Sequence, residues 1–379
     1  DKIENLDSIP FPARDTLRLQ IESGNSKTAR IISSRGCIAD CSFCSIPPFE
    51  RFQKGRLWRA RSPENILDEL TLLKEEFGVK TILFAEDNFI GPGEVGRDRI
   101  EKIAEGMISR GLKLRFRILT TAESLIYCEH LLPLLKRAGL DRVIVGIESA
   151  SPSALETFNK KTTLERHYQV VDLLTQYNIV LHLGFMMFHP YVTIDDLRQN
   201  AEFLKKIDHA CFFQYFSNRM ELYPGVAIFK RMKDEDMILF EDEYKRGFLY
   251  RYAEPHIENL ARGLTPIRRK MTDVDRSLLD MDIWVTENNN TNEHKEFTKE
   301  YKGLRKRFSS ANLGFFCKSV ENLESGWDSE AFEYSKEYYL NDIEKLDKEL
   351  MSMINRKEVK DSSCDDRELI GDTRESYVC

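Results

Sequence analysis

Three cysteines stand within eight residues, at Cys37, Cys41 and Cys44, in the run Arg35-Gly36-Cys37-Ile38-Ala39-Asp40-Cys41-Ser42-Phe43-Cys44. Thiolates spaced C-x3-C-x2-C on one short loop can cap three irons of a cubane cluster, and Gly36 helps the backbone make the tight return. The fourth iron is then open to a small ligand, whereas a cluster that only carries electrons normally has four protein ligands. The same thiolates plus one imidazole could instead close on zinc, with His182 or His189 as distant partners. Structural zinc sites usually pair C-x2-C units, and the chain has no second pair.

Other residues capable of chemistry follow apolar runs. Phe84-Ala85-Glu86-Asp87-Asn88-Phe89 carries two carboxylates, either of which could hold an ammonium by a charge-assisted hydrogen bond. Val145-Gly146-Ile147-Glu148-Ser149 ends another run in an acid and a hydroxyl, and His189 follows a third in Met187-Phe188-His189-Pro190. Taken singly, each reads as a polar turn capping a strand, and His189 as a turn histidine bonded to backbone. Gly91-Pro92-Gly93-Glu94-Val95-Gly96 matches G-x-G-x-x-G, but Pro92 and Glu94 suit a pyrophosphate poorly, and the motif follows the second strand instead of the first. Arg51, Lys54, Arg56, Arg59 and Arg61 interleave with Phe52 and Trp58; the pattern could stack and neutralise nucleic acid, but loop packing or contact with a smaller anion suits an acidic chain better.

These residues need a scaffold that aligns strand ends. From Ala29 to about Phe216 short apolar runs alternate with amphipathic stretches, the signature of βα units and a mainly parallel sheet. Six strands are expected: Ala29 to Ser33, Thr81 to Phe84, Leu114 to Leu119, Arg142 to Ile147, Val180 to Phe188 and Ala210 to Phe216. Between them Pro63 to Phe77, Arg97 to Arg110, Leu125 to Ala138, Leu164 to Tyr177 and Ile194 to Lys205 read as helices. The expected fold is α/β, a partial (β/α)6 TIM-type barrel over 25–225, with a linker at 1–24, a helical region at 226–360 and a loose tail at 361–379. The net charge of -7 argues against general nucleic-acid binding, and no run approaches the roughly 18 apolar residues of a spanning helix. Scattered remaining cysteines suggest a reducing cytoplasm, and Asp1, which is not a Met and opens no signal peptide, reads as a cut end.

The cysteine spacing, with an aromatic at Phe43 and a position just after the first strand, resembles the cluster motif of the radical S-adenosylmethionine (SAM) superfamily. Gly146-Ile147-Glu148-Ser149 is similar to an element lying along SAM in a large branch of it, and Glu86-Asp87-Asn88-Phe89 to an acidic stretch near the SAM amino group. Ile9-Pro10-Phe11-Pro12 and Glu221-Leu222-Tyr223-Pro224-Gly225 resemble the segments that open and close the barrel in the B12-binding-type subgroup. The likeness covers about 9–240, and the D-x-H-x-x-G motif of that subgroup's corrinoid domain is not in this sequence. It implies a 4Fe-4S cluster on Cys37, Cys41 and Cys44, with SAM near Phe43, Glu86, Asp87, Gly146, Glu148 and Ser149. It further implies a 5'-deoxyadenosyl radical that attacks a peptide or small natural-product substrate, a flavodoxin, ferredoxin or reductase as electron donor, and cobalamin in the methyl-transferring variant. His189 replaces the subgroup's usual Gly-rich turn, as a candidate substrate or proton-transfer residue.

Overall fold

The structure is a computed structural model and describes residues 2–24, 27–241, 248–288 and 292–361. Its main sheet has five strands in the order β1 (Thr28–Ile31), β2 (Thr81–Phe84), β3 (Arg115–Thr121), β4 (Leu140–Glu148) and β5 (Val180–Phe185). The pairings are parallel, Ile31 facing Phe84, Thr81 facing Arg115 and Thr121 facing Gly146. Parallel neighbours need a crossover each time, so every strand ends on the same edge of the sheet. β2 and β5 are buried at every position, which is why they read as mainly apolar runs without alternation, interrupted by Thr81 and His182.

Helices α1 (Ile46–Phe52) and α2 (Pro63–Phe77) lie between β1 and β2, α3 (Gly93–Ser109) follows β2, and α4 (Ile194–Lys206) follows β5. On α2 the Ser62 hydroxyl accepts the Asn65 N–H at 3.2 Å, Pro63 opens the first turn, and Gly78 closes it at φ 60. Such a cap stabilises by about 1 kcal/mol. The helix expected over Leu125 to Ala138 is broken into Ala122–Tyr127, a 3-10 turn at Glu129–Leu131, and Leu132–Ala138. Pro133 cannot donate within a helix but fits a new first turn.

The described residues fall into two compact units, one of 2–147 and 165–184, the other of 148–164 and 185–361. In the first, the N-terminal segment is tied down by buried charge: Lys2 Nζ lies 2.8 Å from Glu50, and Arg14 and Arg61 both bind Glu69. In the second, α5 (Ile257–Glu287), α6 (Asn292–Glu324) and α7 (Ser329–Asp361) supply the helical C-terminal region. Residues 362–379, expected as a tail, lie outside the described residues.

The sixth strand expected at Ala210 to Phe216 does not form; the segment turns into a short helix, Gln214–Ser217. Side chains from distant helices satisfy its backbone. Asp275 of α5 accepts the Phe213 and Gln214 N–H groups, each at 2.8 Å. Asn312 of α6 donates to the carbonyls of Ala210 and Cys211 at 2.9 and 2.8 Å, and Tyr339 of α7 donates to Asn312 at 2.8 Å. With these backbone groups met by side chains, no strand ladder is required to satisfy them. Phe212, Phe213, Tyr215 and Phe216 are buried all round, so their run carried no period. Beyond it, Phe188 and Arg219 make a single parallel bridge.

Candidate cluster site

The cysteine loop leaves the carboxyl end of β1 within the first unit. Gly36 enters it at φ +86, where an added Cβ would sit 2.0 Å from the Leu57 carbonyl oxygen. Only glycine fits that approach. The Gly36 N–H donates to Asp87 Oδ2 at 3.0 Å, so the acidic stretch after β2 clamps the loop's first turn. Inside the loop the Ala39 N–H points at Cys37 Sγ at 3.4 Å, and the Cys44 N–H donates to the Cys41 carbonyl at 3.3 Å. Cys37 and Phe43 are buried, while Cys41 and Cys44 are half-buried; none of the three cysteines is in a disulfide.

Glu86 has a task that sequence reasoning did not assign. Its two oxygens accept the Ser33 N–H and the Ser34 hydroxyl, both at 2.6 Å, at the base of the same loop. Arg99 of α3 sits opposite, donating to the Ser33 carbonyl at 2.9 Å, to the Ser33 hydroxyl and to the Phe89 carbonyl at 3.2 Å. Burial pushes the Glu86 carboxyl up and the Arg99 guanidinium down, and each opposes the shift of the other. Asp87 is likewise pushed up by burial, against the pull of the Gly36 N–H. Asn88 is anchored too, accepting the Thr120 hydroxyl at 3.0 Å beyond the middle of β3. The signal for Arg99 was available: it is a charge on the buried stripe of α3, with Gly96, Ile100, Ile103 and Met107.

Two motifs resolve into packing. Gly91 lies at φ +74, where a Cβ would strike the Trp58 ring at 2.3 Å, and a Cβ on Gly96 would meet the Ile90 carbonyl at 2.2 Å. Gly91 and Gly96 of the G-x-G-x-x-G run therefore serve close approach, to Trp58 and to the backbone before α3. Of the basic stretch, Arg59 pairs with buried Glu50 at 3.1 Å, Arg61 with Glu69, and Arg51 with Asp40 at 2.7 Å.

The second unit holds the remaining candidates except Gly146. Glu148 ends β4 with φ +66, an uncommon conformation for a non-glycine residue that costs about 1 kcal/mol or more. It is 7% exposed, its carbonyl accepts the Met186 N–H at 2.8 Å, and its carboxylate lies 3.5 Å from Lys160 Nζ. Gly146, two residues before it, belongs to the first unit and is half-buried. The Ser149 hydroxyl donates to Asn200 Oδ1 at 2.9 Å, and the Ala150 N–H reaches the same oxygen at 2.8 Å, so Ser149 is used to hold the turn. His189 is 1% exposed, edge-on to Phe158 at 4.9 Å, and among the described residues neither ring nitrogen has a hydrogen-bond partner. Burial lowers its pKa to about 4, against the opposing charge of Asp196, so the ring is neutral at neutral pH. The backbone-bonded turn histidine is not what forms.

Burial pushes the Cys44 thiol up to about 12; the Ile46 N–H opposes this, and the Cys41, Cys37 and Asp87 charges add to it. The neighbouring sulfurs thus disfavour ionisation of Cys44 until a cationic centre lies among them, as metal-bound thiolates require. Among the described residues, no three His, Cys, Asp or Glu side chains converge as a single ion would need. One thiolate on each of three irons needs no such convergence, so the donor set is compatible with a cubane.

A parallel α/β domain with three cysteines on the loop after its first strand has the donor arrangement that a cluster-binding α/β domain needs. The family described as Radical SAM superfamily matches residues 31–204. These residues are thus similar to the radical SAM domain, a family whose members work with a 4Fe-4S cluster and SAM. The chain is 30% identical over 209 residues to an uncharacterized methyltransferase of Pyrococcus horikoshii, covering 54% of this chain and 43% of that protein. It is also 30% identical over 227 residues to the 4'-phospho-dehydrooxetanocin synthase of Priestia megaterium, covering 53% and 29%. The matches thus span less than half the length of these relatives. The solved structure of the cobalamin-dependent SAM radical enzyme OxsB, with aqua-cobalamin and SAM bound, superposes with a TM-score of 0.68 at 20% identity, over 96% of this chain and 58% of that one. That likeness shows the fold, the helical C-terminal region included. Among the described residues no helix is long and apolar enough to cross a membrane.

Proposed function

We propose that the protein is a radical SAM enzyme acting on a small-molecule or peptide substrate, with Cys37, Cys41 and Cys44 as the cluster ligands. The observation that carries this is the clamped cysteine loop, held from the end of β2 by Asp87 on Gly36 and by Glu86 on Ser33 and Ser34. When bound, the cluster and SAM supply a 5'-deoxyadenosyl radical able to abstract hydrogen from carbon. The chain's own share is positioning and exclusion of water. Gly36 and Asp87 set the loop's entry, while Glu86 with Arg99 fixes its base. Phe43 walls the thiolates. Gly146 and Glu148, on the end of β4, are proposed to line SAM, the strained Glu148 backbone aiming its carboxylate at a cationic or hydroxyl group of the ligand. His189, neutral and buried, is proposed to contact substrate as a hydrogen-bond partner instead of shuttling protons. A low-potential carrier such as flavodoxin or ferredoxin would supply the electron, in a reducing compartment such as the cytoplasm.

A second reading, cobalamin-dependent methyl transfer, is favoured by the names of two matches, a methyltransferase and a cobalamin-dependent enzyme. Anaerobic reconstitution with iron and sulfide tests the first reading, and is expected to give a brown protein that cleaves SAM. Alanine at Cys41 should abolish both colour and cleavage; retained turnover would contradict the assignment. Methylated product that appears only with added cobalamin would select the second reading.

A further inference from the structure

The surface around the cysteine loop is apolar where a protein surface ordinarily is not. Phe49 and Phe52 are 68% and 88% exposed, and Ile38, inside the cysteine run, is 54% exposed. The two phenylalanines stand three residues apart on α1 and so share a face. α1 begins two residues after Cys44, and the Arg51 to Asp40 ion pair at 2.7 Å holds its far end against the segment between Cys37 and Cys41. Single exposed apolar side chains are common, but three grouped beside one loop mark a contact surface. The charge around them is cationic. Arg51, Lys54 and Arg56 are exposed, while over 38–56 Asp40 is the one exposed acid, because Glu50 is buried between Lys2 and Arg59. Glu4 approaches Arg56 at 4.0 Å without covering it, the Arg56 side chain remaining 85% exposed. This cationic rim belongs to a chain whose net charge is -7, so it is not the general character of the molecule.

We infer that Phe49, Phe52, Lys54 and Arg56 form the docking face for a small acidic one-electron carrier protein. The inference rests on the radical SAM reading, because reductive cleavage of SAM consumes an electron that no residue of the chain supplies. In the docked complex the carrier is oxidised by one electron and the cluster reduced by one, with no proton or group transferred. An apolar centre with a charged rim suits a weak, rapidly exchanging interface, in which charge steers the encounter and the apolar contact sets the lifetime. Docking here sets the carrier against the helix that continues directly from Cys44.

The experiment compares the unaltered cluster-loaded protein with two variants, Phe49→Ser/Phe52→Ser and Lys54→Glu. SAM cleavage is driven either by dithionite, which needs no docking, or by reduced flavodoxin as the acidic carrier. Binding of oxidised flavodoxin is measured separately by calorimetry at low and high salt. The expected result is a tenfold or greater loss of flavodoxin affinity and of flavodoxin-driven cleavage in both variants, with dithionite-driven cleavage within twofold of the unaltered protein. For Lys54→Glu the loss should shrink as salt rises. Unchanged flavodoxin affinity in both variants would overturn the docking face. So would a finding that in the full-length protein these phenylalanines are shielded from surface labelling by another part of its own chain. Failure of the radical SAM reading is distinguishable, since the unaltered protein would then cleave no SAM with dithionite either.

Discussion

Replacing Gly36 with alanine tests whether the clamped entry to the cysteine loop matters to the cluster. The residue lies at φ +86, and a Cβ there would sit 2.0 Å from the Leu57 carbonyl oxygen and 3.1 Å from the Glu50 carboxyl carbon. The left-handed conformation costs an L-residue about 1–2 kcal/mol by itself. The contact with Leu57 is with backbone, so relief requires the loop to move by about 1 Å or more. That movement strains the 3.0 Å hydrogen bond from the Gly36 N–H to Asp87, and a bond to a charged acceptor contributes about 1.5–3 kcal/mol. Together the terms reach about 2.5–5 kcal/mol, a large part of the total stability of a domain. The assay is iron and sulfide bound per chain after anaerobic reconstitution, read beside the thermal midpoint. Gly36→Ala is expected to bind less than half the iron of the unaltered protein and to unfold several degrees lower. Gly78→Ala is the control: φ is +60 there, but a Cβ would meet nothing within 4 Å. It carries the backbone cost alone and should keep its iron. Full iron content with an unshifted midpoint in Gly36→Ala would refute the reasoning, since neither the contact nor the Asp87 clamp would then be needed.

Two further perturbations address the second unit. Glu148→Ala removes a carboxylate held 3.5 Å from Lys160 and is expected to weaken SAM binding by tenfold or more in equilibrium dialysis, and unchanged affinity removes Glu148 from the site. Asp275, wholly buried, has its pKa pushed up by burial to about 7 from an ordinary 3.8, the Gln214 and Phe213 N–H groups only partly opposing this. The folded protein therefore keeps this proton to higher pH than the unfolded chain does. Its stabilising contribution is full below about pH 4 and is lost as pH rises through 7, by at most about 4 kcal/mol. The urea midpoint should fall between pH 5 and pH 8 in the unaltered protein and fall less in Asp275→Asn; equal slopes would show that this carboxyl does not titrate with folding.

Much of the candidate site, as proposed, was legible in the residues themselves. Three cysteines at C-x3-C-x2-C need only local backbone to act together, so their spacing carried the chemistry without tertiary information. The first five strands were legible for a related reason: a strand buried on both faces is mostly apolar, and Thr81–Phe84 and Val180–Phe185 are apolar except at Thr81 and His182. Proline and glycine likewise mark the two ends of Pro63–Phe77, because each acts on the backbone at its own position and needs no distant partner.

What the tertiary structure decided lies where partners are far apart in the chain. Glu86 and Asp87 read as ligand-facing acids, yet their hydrogen bonds go to Ser33, Ser34 and Gly36, more than fifty residues earlier. Ala210 to Phe216 had a strand's composition and became a turn because Asp275 and Asn312, from helices 60 to 100 residues downstream, satisfy its backbone. Local pattern determines which backbone states a segment can adopt at low cost. Where a buried polar group finds its partner is set by the whole fold, because an unmet hydrogen bond in the interior costs as much wherever along the chain its partner arises.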